Sequence, residues 1–177
     1  MQYHLTPRWL IVIAATTALT ATSVSTAQPD ASNGHSVLAG ELASAIGKLD
    51  KSANKLAAVE DAVDNARADV DNIANEFEQG GNPTIRPKLL AVRTRVNQSQ
   101  VTLDVVAGVL ATLEDTFNKI QIAALEINAP KIASEAAGAL EKVRAMQTQA
   151  KTVQTKIDKV NQSIKKLLRK LLRELRG

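Results

Sequence analysis

Apolar residues recur at alternating spacings of three and four along three long stretches of the chain, each sustained for about six heptads. The first stretch carries Leu42, Leu49, Leu56, Val63, Val70 and Phe77, interleaved with Leu38, Ala45, Ser52, Val59, Ala66 and Ile73. The second carries Leu89, Val96, Leu103, Leu110, Phe117 and Ala124 between Ile85, Val92, Ser99, Val106, Leu113, Ile120 and Ile127. The third carries Ala136, Val143, Ala150, Ile157, Ile164 and Leu171 between Ile132, Ala139, Met146, Val153, Val160 and Leu167. On a helix this spacing gathers each set on one stripe, and a stripe that long must be buried against partners.

The breaks between the stripes set the topology. Gln79-Gly80-Gly81-Asn82-Pro83 is a turn cluster, and Pro87 suits the first turn of a following helix. Asn128-Ala129-Pro130 reads as a capping residue followed by Pro in the next first turn. Helices are therefore expected over 37–78, 85–127 and 130–176. Short connections make antiparallel neighbours, so the expected fold is all-α: an elongated antiparallel up-down-up three-helix bundle with coiled-coil heptad packing. That order sets Phe77 opposite Ile85 and Leu38 opposite Ile127 and Ile132. It also brings Ala66, Ser99 and Val160 into one layer of small side chains, where the bundle narrows or leaves a void.

Residues 1–27 read as a cleaved secretory signal: Arg8, an apolar run from Trp9 to Leu19, and the small residues Ser25-Thr26-Ala27. The run has 11 residues, well short of the roughly 20 that span a bilayer. A flexible polar lead is expected over 28–36, and the mature chain is expected to be secreted and extracellular. The chain has no cysteine, so no disulfide supports it. Asn97-Gln98-Ser99 and Asn161-Gln162-Ser163 are candidate N-glycosylation sequons, with both asparagines outside the core positions.

Reactive groups are scarce. Without Cys, and with His35 alone once His4 leaves with the signal, thiol or imidazole catalysis and the common metal sites cannot be assembled. No phosphate-cradling glycine motif and no calcium loop is present. The expectation is a protein that is not an enzyme and takes no cofactor and no metal. Phe77 and Phe117 are the aromatics left after the signal, and both sit in stripes, so no stacking surface for nucleic acid is expected.

Charge is distributed unevenly. Residues 164–177 carry Lys165, Lys166, Arg169, Lys170, Arg173 and Arg176 against Glu174. Residues 60–78 are acidic, with Glu60, Asp61, Asp64, Asp69, Asp71, Glu76 and Glu78 against Arg67. As a helix the tail gathers Ile164, Leu167, Leu168, Leu171, Leu172 and Leu175 into an arc of about 140°, with the cations opposite. Lys165, Lys166, Arg169, Lys170, Arg173 and Arg176 with Leu168, Leu172 and Leu175 thus form a candidate surface for an anionic membrane or partner. Alternatively, the tail docks on the acidic 60–78 segment and its cations complement that charge.

Two functional expectations follow. The first is a secreted interaction protein acting through its surface on an extracellular protein or on itself. The second is an amphipathic protein that binds lipid or an anionic membrane through its basic C-terminal helix. A third, a membrane-active peptide released by cleavage near Lys159, lacks a dibasic site before Asn161.

Overall fold

The computed structural model describes residues 31–80 and 84–174. Expectations placed on the signal at 1–27, and on Leu175 and Arg176, lie outside the described residues. The described chain forms three helices, α1 (Ala31–Glu78), α2 (Ile85–Glu126) and α3 (Pro130–Glu174), and each packs against the other two. It is an all-α three-helix bundle.

The inward stripe of each helix is what the bundle buries. On α1 the buried side chains run from Leu42 through Leu49, Leu56, Val63 and Val70 to Phe77, with Ala45, Ser52, Val59, Ala66 and Ile73 between them. On α2 they run from Ile85 to Ala124 at the same spacing, with Phe117, Leu89 and Leu110 wholly enclosed. On α3 they run from Ala133 to Ile164 and include Leu140, which lies off the expected stripe. Each enclosed Val, Leu, Ile or Phe contributes about 1.5–3 kcal/mol of transfer free energy, the main term holding a chain without disulfides together. Ser52 is the polar exception on α1: its hydroxyl donates to the Lys48 carbonyl at 2.9 Å, so no hydrogen bond is lost in the core.

Ala66, Ser99 and Val160 are all buried, and the expected thin layer leaves its space at the surface. A groove of about 690 Å³ runs between α1 and α3 over Val63, Val70 and Val160. Another of about 440 Å³ runs between α1 and α2 over Val59 and Ser99.

Two local expectations are corrected. The chain is helical from Ala31, so most of the stretch expected as a flexible lead belongs to α1. The reason is a contact at the far end of α2. Leu38 packs on a small cluster of Ala124, Ala129 and Ala133 with Ile127 and Ile132, and His35 Nε2 lies 3.3 Å from the Ile127 carbonyl oxygen. That carbonyl is one of those left without a helical partner where α2 stops. The second correction concerns Asn128, expected as a cap for α3. It instead closes α2, in the left-handed conformation at φ 56°. Its N–H donates to the Leu125 carbonyl at 3.1 Å, and the Ala129 N–H donates to the Ala124 carbonyl at 2.7 Å. This is the paired closure of a Schellman motif, and Pro130 opens α3 directly after it. At the other turn Gly80 takes φ 131°, a conformation that requires glycine.

Candidate interaction surface

Burying the stripes leaves charged and polar side chains outside, and the acids of α1 find partners in order. Lys88 on α2 pairs with Glu76 at 2.7 Å, and Arg95 on α2 pairs with Asp69. Lys156 on α3 bridges Glu60 at 2.8 Å and Asp64 at 2.9 Å. Gln149 adds a hydrogen bond to Glu60 at 2.8 Å. Between α2 and α3, Gln100 and Gln154 donate to one another's carbonyl oxygens at 2.7 and 2.9 Å. Gln147 and Arg144 reach Glu114 at 2.9 and 3.5 Å.

The half-buried Glu60–Lys156 contact perturbs both groups. The ammonium of Lys156, then the Gln149 amide, hold the Glu60 carboxyl below its usual range. Glu60, then Asp64, raise the Lys156 ammonium above its ordinary value. The Gln147 amide, with help from Arg144, lowers Glu114.

Among the described residues the basic end of α3 meets the acidic segment through one ion pair. Lys170 approaches Glu78 at 3.9 Å, with both side chains more than half exposed. Lys165, Lys166, Arg169 and Arg173 are exposed and make no ion pair among the described residues. The acids of 60–78 are held instead by Lys88, Arg95 and the middle of α3. Leu167, Leu168 and Leu171 are half-buried and pack on the core, so Leu168 belongs to the bundle more than to an outward face. Leu172 is 48% exposed. Of the two sequon asparagines, Asn97 is exposed and Asn161 is half-buried.

A second surface was passed over when the sequence was read along its inward stripes. Among the described residues, six of the eight large apolar side chains left exposed are on α2: Leu90, Val101, Val105, Val109, Ile122 and Leu125. Val101, Val105 and Val109 follow one another at four-residue spacing, which is the signal that reveals them. Threonines 94, 102 and 112 are exposed between and beside them, each with its hydroxyl bonded to a carbonyl of its own helix.

Among the described residues no three His, Asp or Glu side chains gather to hold a metal ion, and no helix is long and apolar enough to cross a membrane. Compared with protein-family models, curated proteins and solved structures, the chain gives no match.

Proposed function

We propose that this chain is a secreted, non-enzymatic interaction protein, an up-down-up helical rod acting through its outer surface on an extracellular protein or on itself. The observation that carries the reading is the use of all three apolar stripes in one shared core, which leaves outward helix faces as the available chemistry. The cross-helix pairs support the order of the helices. From Glu76–Lys88 to Asp69–Arg95, position falls on α1 as it rises on α2, as antiparallel neighbours require. Glu114–Arg144 and Gln100–Gln154 run the same way between α2 and α3, while Glu60–Lys156 and Glu78–Lys170 rise together, as parallel α1 and α3 require. Heptad packing of these seams accords with buried positions three and four apart.

The test is affinity capture with the chain beginning at Gln28, from the fluid into which it is secreted. A specific protein, or the chain itself, is expected on the matrix. Capture of nothing by a folded chain contradicts the reading. Export is tested by the N-terminus of the secreted form, expected just after Ala27.

One observation favours a second reading: the cations Lys165, Lys166, Arg169 and Arg173 make no ion pair among the described residues, beside the exposed Leu172. A basic helix end of this kind suits an anionic bilayer, Lys and Arg each contributing about 1 kcal/mol near such a surface. Flotation with phosphatidylserine vesicles decides it. Binding that disappears when residues 164–177 are removed supports the lipid reading, and absence of binding removes it.

A further inference from the structure

We propose that the outer face of α2 is a self-association surface, on which a second copy of this chain docks α2 against α2, antiparallel, about a two-fold axis near Val105. The proposal rests on the reading that the protein works through its surface, and it names the partner.

Three observations carry it. The first is the exposed apolar row itself. Val101 is 64% and Val105 55% exposed, although a β-branched side chain at a solvent-facing helix position lowers helix propensity by some tenths of a kcal/mol against alanine. Nothing among the described residues covers these valines to offset that penalty, whereas burial against a partner does.

The second is the charge pattern along α2. Residues 96–113 hold one charged side chain, Asp104. Before them α2 carries Arg86 and Arg93 beside Lys88 and Arg95, which α1 pairs; after them Asp115 and Glu126 stand against Lys119, beside Glu114, which Arg144 pairs. A two-fold axis near Val105 sets Arg86 close to the level of Glu126 of the second copy, and both side chains are exposed. Val101 and Val109 exchange places across the same axis. A neutral apolar centre between ends of opposite sign fits a reversed copy of itself, while a parallel pairing would stack like charge on like.

The third is access. At Gly108, next to Val101 on the outward line, an added Cβ would meet nothing within 4 Å, so a second backbone can approach closely there. Val109 borders the α1–α2 groove and Asp104 the α2–α3 groove. The face is thus centred toward α1, with Asp104 at its far edge, where Gln100 Nε2 donates to it at 2.8 Å.

From Leu90 to Leu125 the face is about 50 Å long, and at a helix width of about 10 Å a pair buries on the order of 1,000 Å². That lies at the lower limit for a specific interface, so the dimer should dissociate in the micromolar range. Asn97 is exposed on the same side of α2, and a glycan there would occupy room the second copy needs. The unglycosylated protein is therefore the form to test.

Sedimentation equilibrium of the unglycosylated chain from Gln28, across micromolar concentrations, is expected to show a monomer–dimer equilibrium. Val105→Lys sets two ammonium groups face to face and should weaken it by about tenfold or more. Helicity should be unchanged, because Val105 is outside the core. Arg86→Glu and Glu126→Arg should each weaken the dimer by about threefold, and the double exchange should restore it. A monomer throughout, or a dimer indifferent to Val105→Lys, overturns the proposal. A monomer that still captures an extracellular protein overturns self-association alone. A folded chain that does neither overturns the surface reading as well.

Discussion

Asn128 shows how much one backbone conformation decides at the turn into α3. With φ at 56°, it stands where most L-residues are strained by about 1–2 kcal/mol and where glycine and asparagine are tolerated. Asn128→Ala should therefore destabilise the bundle by about 1 kcal/mol, and Asn128→Gly should leave it unchanged or firmer. Urea unfolding followed by circular dichroism reads both. Glycines inside helices make the opposite case. At Gly47 and Gly138 an added Cβ meets nothing within 4 Å, so replacement by Ala should stabilise the chain by about 1 kcal/mol at each. The dipeptide Asn-Ala before Pro130 was legible as a break, but its role was not. An asparagine between two helices can cap the one before or the one after, and only the left-handed φ distinguishes them.

At the scale of the element, burial could be read almost residue by residue, because a stripe of period 3.5 has one side to hide. Leu42 to Phe77 on α1 and Ile85 to Ala124 on α2 are buried where the spacing put them. Charge pairing was less legible. Composition set the basic tail beside the acidic 60–78 segment, yet long side chains pair with whichever opposite charge lies level across a seam. Lys88, Arg95 and Lys156 reach those acids first, and the tail retains Lys170–Glu78. The start of α1 was hidden because polar residues 31–36 carry no stripe. Their helix is held by contacts at the end of α2, about 90 residues away in sequence.

The Glu60–Lys156 bridge gives that element a pH signature. The Glu60 carboxyl is held low in the fold, so its contribution is complete above the ordinary carboxylate range and is lost as pH falls through the folded value. Lys156 is raised, so its contribution is complete below its ordinary value and is lost as pH rises through the folded one. Urea midpoints should hold across neutral pH and decline toward both extremes. Glu60→Gln should flatten part of the acid decline; an unaltered profile would show that the bridge contributes nothing measurable, a frequent outcome for half-exposed pairs.

For the whole molecule, residues from all three stripes share one core. If residues 1–27 are removed on export, Tyr3 and Trp9 go with them, and the mature protein should absorb almost nothing at 280 nm. Strong absorbance in the secreted form would show an uncleaved chain. The α2 face was invisible to a reading that sought inward residues, since an exposed valine breaks no rule of folding and acquires meaning from its neighbours in space.

The claim on which the rest depends is that α1 and α2 fold back on one another in an up-down-up rod. Lys48 and Thr116 border the same α1–α2 groove, so spin labels at Lys48→Cys and Thr116→Cys report the fold directly by pulsed dipolar spectroscopy. The account predicts helix axes about 10 Å apart at that level, and a single narrow, short distance. A separation near 100 Å, the span of one continuous helix at about 1.5 Å per residue, would contradict it.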